Sequence, residues 1–216
     1  MRVELNNVTK IIGKNTVLND VNIAMESGKI YGFYGRNGSG KTMLFRGIAG
    51  LIVLTKGTIT FDNEILHKDI RIPKNLGIII ENPGFWDYYT GYENLKALAS
   101  IKNLIDDTII NNALELVGLF DVKDNLYKKY SLGMKQRLAI AQSIMESPEI
   151  LLLDEPTNAL DQEGMDMLRK VLMDLKKKNV LIAIASHNKE DINLLADVKV
   201  RMENGCLEVL DGDEPI

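Results

Sequence analysis

The stretch Gly35-Arg36-Asn37-Gly38-Ser39-Gly40-Lys41-Thr42 decides the fold of this 216-residue chain. It fits the pattern G-x-x-x-x-G-K-[ST], which binds phosphate when it joins a strand to a helix. The preceding residues 30–34 form a short apolar run typical of a buried strand, and residues 41–50 have helical character with Gly50 as a stop. The stretch therefore predicts a phosphate-binding loop between a strand and a helix of an α/β fold.

The residue types in this loop suit a phosphate chain. Glycines let the backbone approach closely, so that successive N–H groups point at phosphate oxygens, and the helix amino terminus adds positive partial charge. We expect Lys41 to reach the β- and γ-phosphates and to act in catalysis, and the Thr42 hydroxyl to bind Mg²⁺. The nucleotide-binding positions predicted here are Gly35, Asn37, Gly38, Ser39, Gly40, Lys41, Thr42 and Met43.

Two carboxylates follow the apolar run 150–153, namely Asp154 and Glu155. Acidic groups at the end of a buried strand are costly unless they meet a cation or a water molecule to activate. We expect Asp154 to hold the Mg²⁺ shell and Glu155 to be the general base. Taken alone, a strand end that reaches solvent explains them equally well.

His187 follows another apolar run, 180–185, and a lone histidine is more often structural than catalytic. Its place after a strand of a nucleotide-binding sheet favours a contact with the γ-phosphate. His67 lies in a polar stretch and is expected at the surface.

The remaining pattern predicts one compact α/β unit. The first 30 residues alternate as an antiparallel meander, and further strands are expected at 57–61 and 76–80, with a terminal hairpin at 198–202 and 206–210. Helices are expected at 92–101, at 107–117, after Ser131 as far as Pro148, and at 161–178. We therefore predict a single domain, 1–216, in which 1–83 and 149–216 form a catalytic core with an N-terminal antiparallel β-subdomain, and 84–148 form an inserted α-helical subdomain.

Composition limits the partners. The formal net charge is -4, whereas a nucleic-acid binder normally carries a basic face, so no nucleic-acid partner is expected. One cysteine, Cys206, and two histidines give little for disulfides or zinc. With no apolar run near the ~20 residues that span a bilayer, and a charged amino terminus, we expect a cytoplasmic chain that meets a membrane only through a partner.

An aromatic cluster follows Pro83-Gly84. It consists of Phe85, Trp86, Tyr88 and Tyr89. Local packing and contact with a partner protein explain it equally well.

The segment Tyr130-Ser131-Leu132-Gly133-Met134-Lys135-Gln136-Arg137, followed by Leu153-Asp154-Glu155-Pro156, resembles the signature motif and acidic strand end of the ABC ATPase family. The order of phosphate loop, signature, acidic strand, Asp161 and His187 matches that family over residues 1–205. The variant Ser-Leu-Gly-Met-Lys-Gln and the segment 80–85 are similar to ATP-binding subunits of bacitracin- and lantibiotic-type exporters.

This resemblance implies a P-loop NTPase core of the RecA-like type and a mechanism based on a dimer. ATP would lie between the phosphate loop of one chain and Ser131 and Gly133 of a second copy, with Asp161 at the same interface. Hydrolysis would drive export, of an antimicrobial peptide or drug, through a separately encoded transmembrane permease. The chain would dock there through the helical insertion and residues 81–92, at the cytoplasmic face of the membrane.

The chain departs from the family pattern at three places. Glu81 stands where a glutamine is expected, and we predict that it still binds the metal or a water molecule. Ile12 replaces the aromatic residue that commonly stacks on adenine, and it is expected to give apolar contact to the base. Leu132 and Met134 replace a glycine and a glutamine of the signature.

Two other functions fit part of the pattern. A soluble ABC ATPase acting in translation or DNA repair is one, although such relatives usually have two nucleotide domains or a long coiled coil. A nucleotide-binding regulator without turnover is the other, and the presence of Glu155 and His187 argues against it.

Overall fold

The computed structural model describes residues 1–81 and 84–210. Asn82 and Pro83, which belong to the segments 80–85 and 81–92, lie outside the described residues, as does 211–216 at the end of the predicted domain. The strands are β1 (Arg2–Ile12), β2 (Asn15–Glu26), β3 (Ile30–Tyr34), β4 (Lys56–Phe61), β5 (Glu64–Ile65), β6 (Leu76–Ile79), β7 (Ile150–Asp154), β8 (Leu181–Ser186), β9 (Val198–Glu203) and β10 (Cys206–Val209). The α-helices are α1 (Lys41–Ile48), α2 (Gly91–Lys102), α3 (Asp107–Leu116), α4 (Leu132–Ile144), α5 (Gln162–Lys177) and α6 (Lys189–Leu195), with 3-10 turns at Phe120–Val122 and Tyr127–Lys129.

The strands within the described ranges form two sheets. One is antiparallel, in the order β2-β1-β4-β5. The other has the order β10-β9-β3-β8-β7-β6, with parallel pairing from β9 through β6 and an antiparallel edge at β10. This arrangement confirms the predicted α/β fold class with an antiparallel β-sheet formed by the amino-terminal part of the chain.

Alternate residues of the parallel strands face two different cores, because successive side chains of a strand point to opposite faces. Leu151 and Leu153 pack with Ile182 and Ile184 against α2 to α6. Their neighbours on the same strands, such as Leu152, pack against α1 and the antiparallel sheet. The parallel sheet is therefore covered on both faces, which explains its continuous apolar runs.

Capping residues and turn residues mark several of the helix and strand ends. Thr90 and Glu93 form a reciprocal capping box at the start of α2, and Asp106 caps α3. The hairpin between β9 and β10 turns at Asn204 and Gly205, both with positive φ, as predicted.

Some elements were missed. The two-residue strand β5 is too short for a periodic signal, and α6 is a seven-residue helix hidden in a polar stretch after His187. The predicted strand 76–80 ends one residue earlier, at Ile79, and α4 ends at Ile144, before the Pro148 stop. These differences lie in short elements and ends, where hydrogen bonding to neighbours outweighs local pattern.

Candidate functional site

The site forms at the carboxyl edge of the parallel sheet. The phosphate loop, residues 35–40, follows β3, Glu155 follows β7, and His187 follows β8. Because these three strands are adjacent and parallel, their carboxyl ends bring residues far apart in sequence together. This is where ligands bind in open α/β sheets.

Glycines occupy positions of the phosphate loop where a side chain would clash with neighbouring atoms or where φ is positive. A Cβ on Gly40 would stand 2.8 Å from the carbonyl oxygen of Val17 in β2, and Gly40 has φ +110°. Gly38 has φ +81°, and a Cβ on Gly35 would stand 2.6 Å from Ser39 Oγ. The loop therefore needs glycine at these three positions, both for its conformation and for its contacts.

Lys41 begins α1 and is 5% exposed. Its Nζ donates a hydrogen bond to Gly35 O at 2.6 Å and lies 3.8 Å from Glu155 Oε1. Burial lowers the pKa of Lys41, while the charges of Glu155 and Asp154 act in the opposite direction. The structure thus places the lysine between the loop backbone and the carboxylates.

Thr42 and Asp154 meet directly. The hydroxyl of Thr42 donates to Asp154 Oδ2 at 2.6 Å, although 112 residues separate the two. Burial raises the pKa of Asp154, and the Glu155 charge adds to this, while the Thr42 hydrogen bond opposes it. Among the described residues, no group hydrogen-bonds the buried Asp154 Oδ1. An unpartnered carboxylate oxygen beside a hydroxyl is a donor set that suits Mg²⁺, so these two residues fit that ion.

Glu155 connects the lysine to the histidine. Its Oε2 lies 2.8 Å from His187 Nδ1, whereas its Oε1 faces Lys41. The backbone of Glu155 has φ +51°, a left-handed conformation that is uncommon outside glycine, and its N–H donates to Ala185 O. The predicted general base and the predicted γ-phosphate residue are therefore in contact.

Glu81 is not in direct contact with Thr42 or Asp154. Its exposed carboxylate accepts a hydrogen bond from Arg46 Nη2 of α1 at 2.7 Å. Its charge is near enough to raise the pKa of Asp154, as a minor contribution. No local pattern indicates the pair with Arg46, since 35 residues separate the two.

Ile12 and Met43 lie at the margins of this group. Ile12 pairs with Asn15 beside the β1–β2 turn and is half exposed, whereas Met43 packs partly buried on the core that contains α1. An open cleft of about 590 Å³ lies beside the phosphate loop, with Arg36, Lys189 and Arg201 among its lining residues. Arg201 pairs with Glu203, which also lines the cleft, whereas Arg36 and Lys189 add positive charge that suits an anion.

Ser131, Gly133 and Asp161 form a second group, between α4 and the loop 156–161. Ser131 caps α4 by accepting a hydrogen bond from Met134 N, and Asp161 caps α5 by accepting one from Gly164 N. Arg137 donates to Asp161 Oδ1 at 3.0 Å, and both contacts lower the pKa of Asp161. A Cβ on Gly133 would stand 2.9 Å from Ala159 O, which explains the glycine.

The residues that hold these segments together are not among the predicted site residues. Gln136 Nε2 donates to Pro156 O at 3.0 Å and ties α4 to the loop 156–161. Thr157 donates to Asp191 of α6. Gln136 and Arg137 lay inside the recognised signature, but Thr157 and Asp191 carried no signal of their own, because only the fold brings them together.

A glycine-rich loop whose lysine and threonine face an acidic strand end defines the class of P-loop nucleotide hydrolases. The family model described as "ABC transporter" matches residues 18–158. This chain belongs to the ABC transporter family and is one of its ATP-binding subunits, an ATPase.

Individual comparisons agree. The chain is 49% identical over 206 residues to the uncharacterized ABC transporter ATP-binding protein YybJ of Bacillus subtilis, covering 95% of this chain and 94% of that one. It is 42% identical over 207 residues to the bacitracin transport ATP-binding protein BcrA of Enterococcus faecalis, covering 95% and 67%. A solved ATP-binding subunit of an ABC transporter superposes with a TM-score of 0.87 at 23% identity, over 98% of this chain and 91% of that one.

In residues 1–81 and 84–210, none of the helices combines the length and the apolar character needed to cross a bilayer.

Proposed function

We propose that this chain is the ATP-hydrolysing subunit of a membrane exporter for an antimicrobial peptide or drug. Its likeness to a bacitracin transport ATP-binding protein supports the cargo class. The observation that carries the ATPase chemistry is the Thr42–Asp154 hydrogen bond, with Asp154 Oδ1 unpartnered among the described residues and with Lys41 and Glu155 beside it.

Each residue then has a definite task. Lys41 and the N–H groups of the phosphate loop bind the β- and γ-phosphates. Thr42 and Asp154 would hold Mg²⁺, which neutralises phosphate charge when bound. Glu155 accepts a proton from the water that attacks the γ-phosphorus as the bond to the bridging oxygen breaks. His187 orients Glu155 and contacts the γ-phosphate, while Ile12 gives apolar contact to the base.

Two copies of the chain complete each site. Ser131 is exposed at the start of α4, where the helix amino terminus and its hydroxyl offer an anion site. Since Ser131 and Gly133 group with Asp161 rather than with Lys41, they suit the phosphates bound by a second copy. The proposed assembly is a symmetric dimer with one ATP at each composite site.

Substitution of Glu155 by glutamine tests this chemistry. Glu155→Gln keeps the shape but removes the proton acceptor, so turnover falls by about 10²–10⁴. ATP then stays bound, and the variant elutes as a dimer with ATP but not with ADP in size exclusion with light scattering. Glu163→Gln, at the exposed start of α5, is the control. Turnover near that of the control would remove Glu155 from the role.

The exporter assignment needs a permease partner. The chain would dock at the cytoplasmic face through α2, α3 and three aromatic residues, Trp86, Tyr88 and Tyr89. About half or more of each of these aromatic residues is exposed. Affinity capture of the tagged chain from detergent-solubilised membranes of its source cell is expected to recover a hydrophobic multi-span protein. Recovery of ribosomes or DNA in its place would favour a soluble ABC ATPase.

A further inference from the structure

Asp191 of α6 receives hydrogen bonds from two separate segments of the site. Thr157 Oγ1 donates to Asp191 Oδ2 at 2.5 Å, and Ser186 Oγ lies 3.4 Å from the same oxygen. Asn188 Nδ2 donates to the other oxygen at 3.3 Å, while Asn188 N donates to Ser186 Oγ at 3.0 Å. One carboxylate therefore ties the segment after β7 to the segment after β8.

The hydroxyls in this network are buried. Ser186 is 0% exposed and Thr157 is 9% exposed, so each depends on a protein partner for its hydrogen bond. Hydrogen bonds to an ionised carboxylate are shorter and stronger than neutral ones. Loss of Asp191 would leave both hydroxyls without this acceptor. The backbone hydrogen bond from Glu155 N to Ala185 O would remain, but the side-chain link between the two segments beyond the strand ends would be lost.

These segments carry the two residues that meet at the site. Thr157 is two residues after Glu155, and Ser186 immediately precedes His187. The Glu155–His187 contact spans 2.8 Å, yet the His187 side chain is half exposed, so packing alone does not fix it. Its geometry depends on the two backbones being held at a constant separation.

We propose that Asp191 is a positioning residue that holds residues 155–157 and 186–188 together, so that Glu155 and His187 meet. The catalytic consequence rests on the proposed roles of Glu155 and His187. The structural consequence, that the Glu155–His187 contact depends on Asp191, does not rest on those roles and can be measured without nucleotide.

The structural test uses the histidine side chains of the full-length chain, which has two. In ¹⁵N-histidine NMR spectra, Glu155→Gln identifies the signal of His187 Nδ1 by shifting it, and His67 serves as the internal reference. Asp191→Ala and Thr157→Val are expected to shift the same signal. Thr157→Ser keeps the hydroxyl and Glu190→Gln changes an exposed neighbour in α6, so neither is expected to shift it.

The kinetic test separates positioning from folding. Asp191→Ala is expected to lower kcat about 10-fold through misplacement of Glu155, with the dissociation constant for ADP unchanged within about twofold. The double variant Asp191→Ala/Thr157→Val is expected to match the single variant, because both changes break one contact. Asp191→Asn, which keeps an acceptor, is expected to fall between Asp191→Ala and the native chain.

Three results would overturn the proposal: an unshifted His187 signal in Asp191→Ala, additive losses in the double variant, or ADP affinity and melting temperature falling together with kcat. Failure of the proposed function is distinguishable, because it appears as undiminished hydrolysis in Glu155→Gln. The NMR comparison does not depend on that result, so it would still test whether Asp191 positions Glu155 and His187.

Discussion

Single residues at this site carry conflicting demands, and Asp154 is the clearest example. It is buried and close to the Glu155 carboxylate, yet it accepts only the Thr42 hydroxyl among the described residues. Burial outweighs the opposing effects of the Thr42 hydrogen bond and the Lys41 charge on its pKa, so the ionised carboxylate is costly here without a further cation. The residue is therefore suited to binding a metal rather than to stabilising the fold.

This conflict predicts a pH-dependent effect on stability. Because the pKa of Asp154 is raised in the folded state, the folded chain holds this proton to a higher pH than the unfolded chain. The contribution of Asp154 to stability is thus present below its ordinary pKa of about 3.9 and is lost as pH rises through the folded pKa. Asp154→Asn, which still accepts from Thr42, is expected to raise the melting temperature at pH 7.

The measurement is thermal unfolding in EDTA without nucleotide, from pH 4 to pH 8. The advantage of Asp154→Asn over the native chain is expected to shrink as pH falls. Glu208→Gln, on the exposed side of β10, serves as the control and is expected to change little. An Asp154→Asn variant that melts lower than the native chain at pH 7 would contradict this account.

At the scale of elements, β6 and α4 pack so closely at Gly77 that no side chain fits between them. A Cβ on Gly77 would overlap the carbonyl oxygen of Ser143 and come within 3.0 Å of Leu151 Cδ1. Because Gly77 has no side chain, the edge strand β6 can lie directly against α4, the helix that Ser131 caps. The position of α4, and with it the second group of site residues, therefore depends on Gly77.

Substitution of this glycine tests the packing. Gly77→Ala is expected to reduce the free energy of unfolding by about 1–3 kcal/mol, the usual cost of overpacking a core. For a chain of this size each kcal/mol lowers the melting temperature by about 2–4 °C. Gly84→Ala is the control, since within residues 1–81 and 84–210 a Cβ there meets nothing within 4 Å. Equal melting temperatures for the two variants would show that β6 and α4 adjust without strain.

On the scale of the whole molecule, the proposed dimer combines the group around Lys41 from one chain with the group around Ser131 from the other. Two inactive variants, each altered in a different group, are therefore expected to restore activity when mixed. Lys41→Ala removes the phosphate-binding lysine, and Ser131→Arg blocks the start of α4, so each variant alone is expected to be inactive. A mixed dimer would contain one site with both changes and one with neither. Mixing the variants is therefore expected to restore ATP hydrolysis above that of either alone.

Hydrolysis is measured as phosphate release over a range of mixing ratios, with a maximum expected near equal amounts. Lys29→Ala replaces Lys41→Ala as the control for nonspecific loss of charge, because Lys29 is exposed and precedes β3, at the opposite end of that strand from the loop. Activity that stays at the sum of the two separate variants would argue that each chain carries a complete site.

The sequence by itself determined the class of fold and the phosphate-binding chemistry. The phosphate loop is recognised from the spacing of its glycines, lysine and threonine, because local backbone geometry requires these residue types. The strands β3, β7 and β8 are recognised from continuous apolar runs, because they are buried. Both signals lie in residues that are close together in sequence. Ser131 and Asp161 as helix caps follow the same local logic.

Only the tertiary structure decided which distant groups meet. The sequence assigned Thr42 and Asp154 to a magnesium site, and Glu155 and His187 to the γ-phosphate end of a nucleotide site, but it did not predict that they contact each other directly. It predicted neither the contact of Arg46 with Glu81 nor that of Thr157 with Asp191. Such pairs join residues on different elements, and their contact depends on strand order and helix packing rather than on spacing along the chain. The helix α6 has seven residues, too few for a clear helical period, and it depends on that packing for its stability.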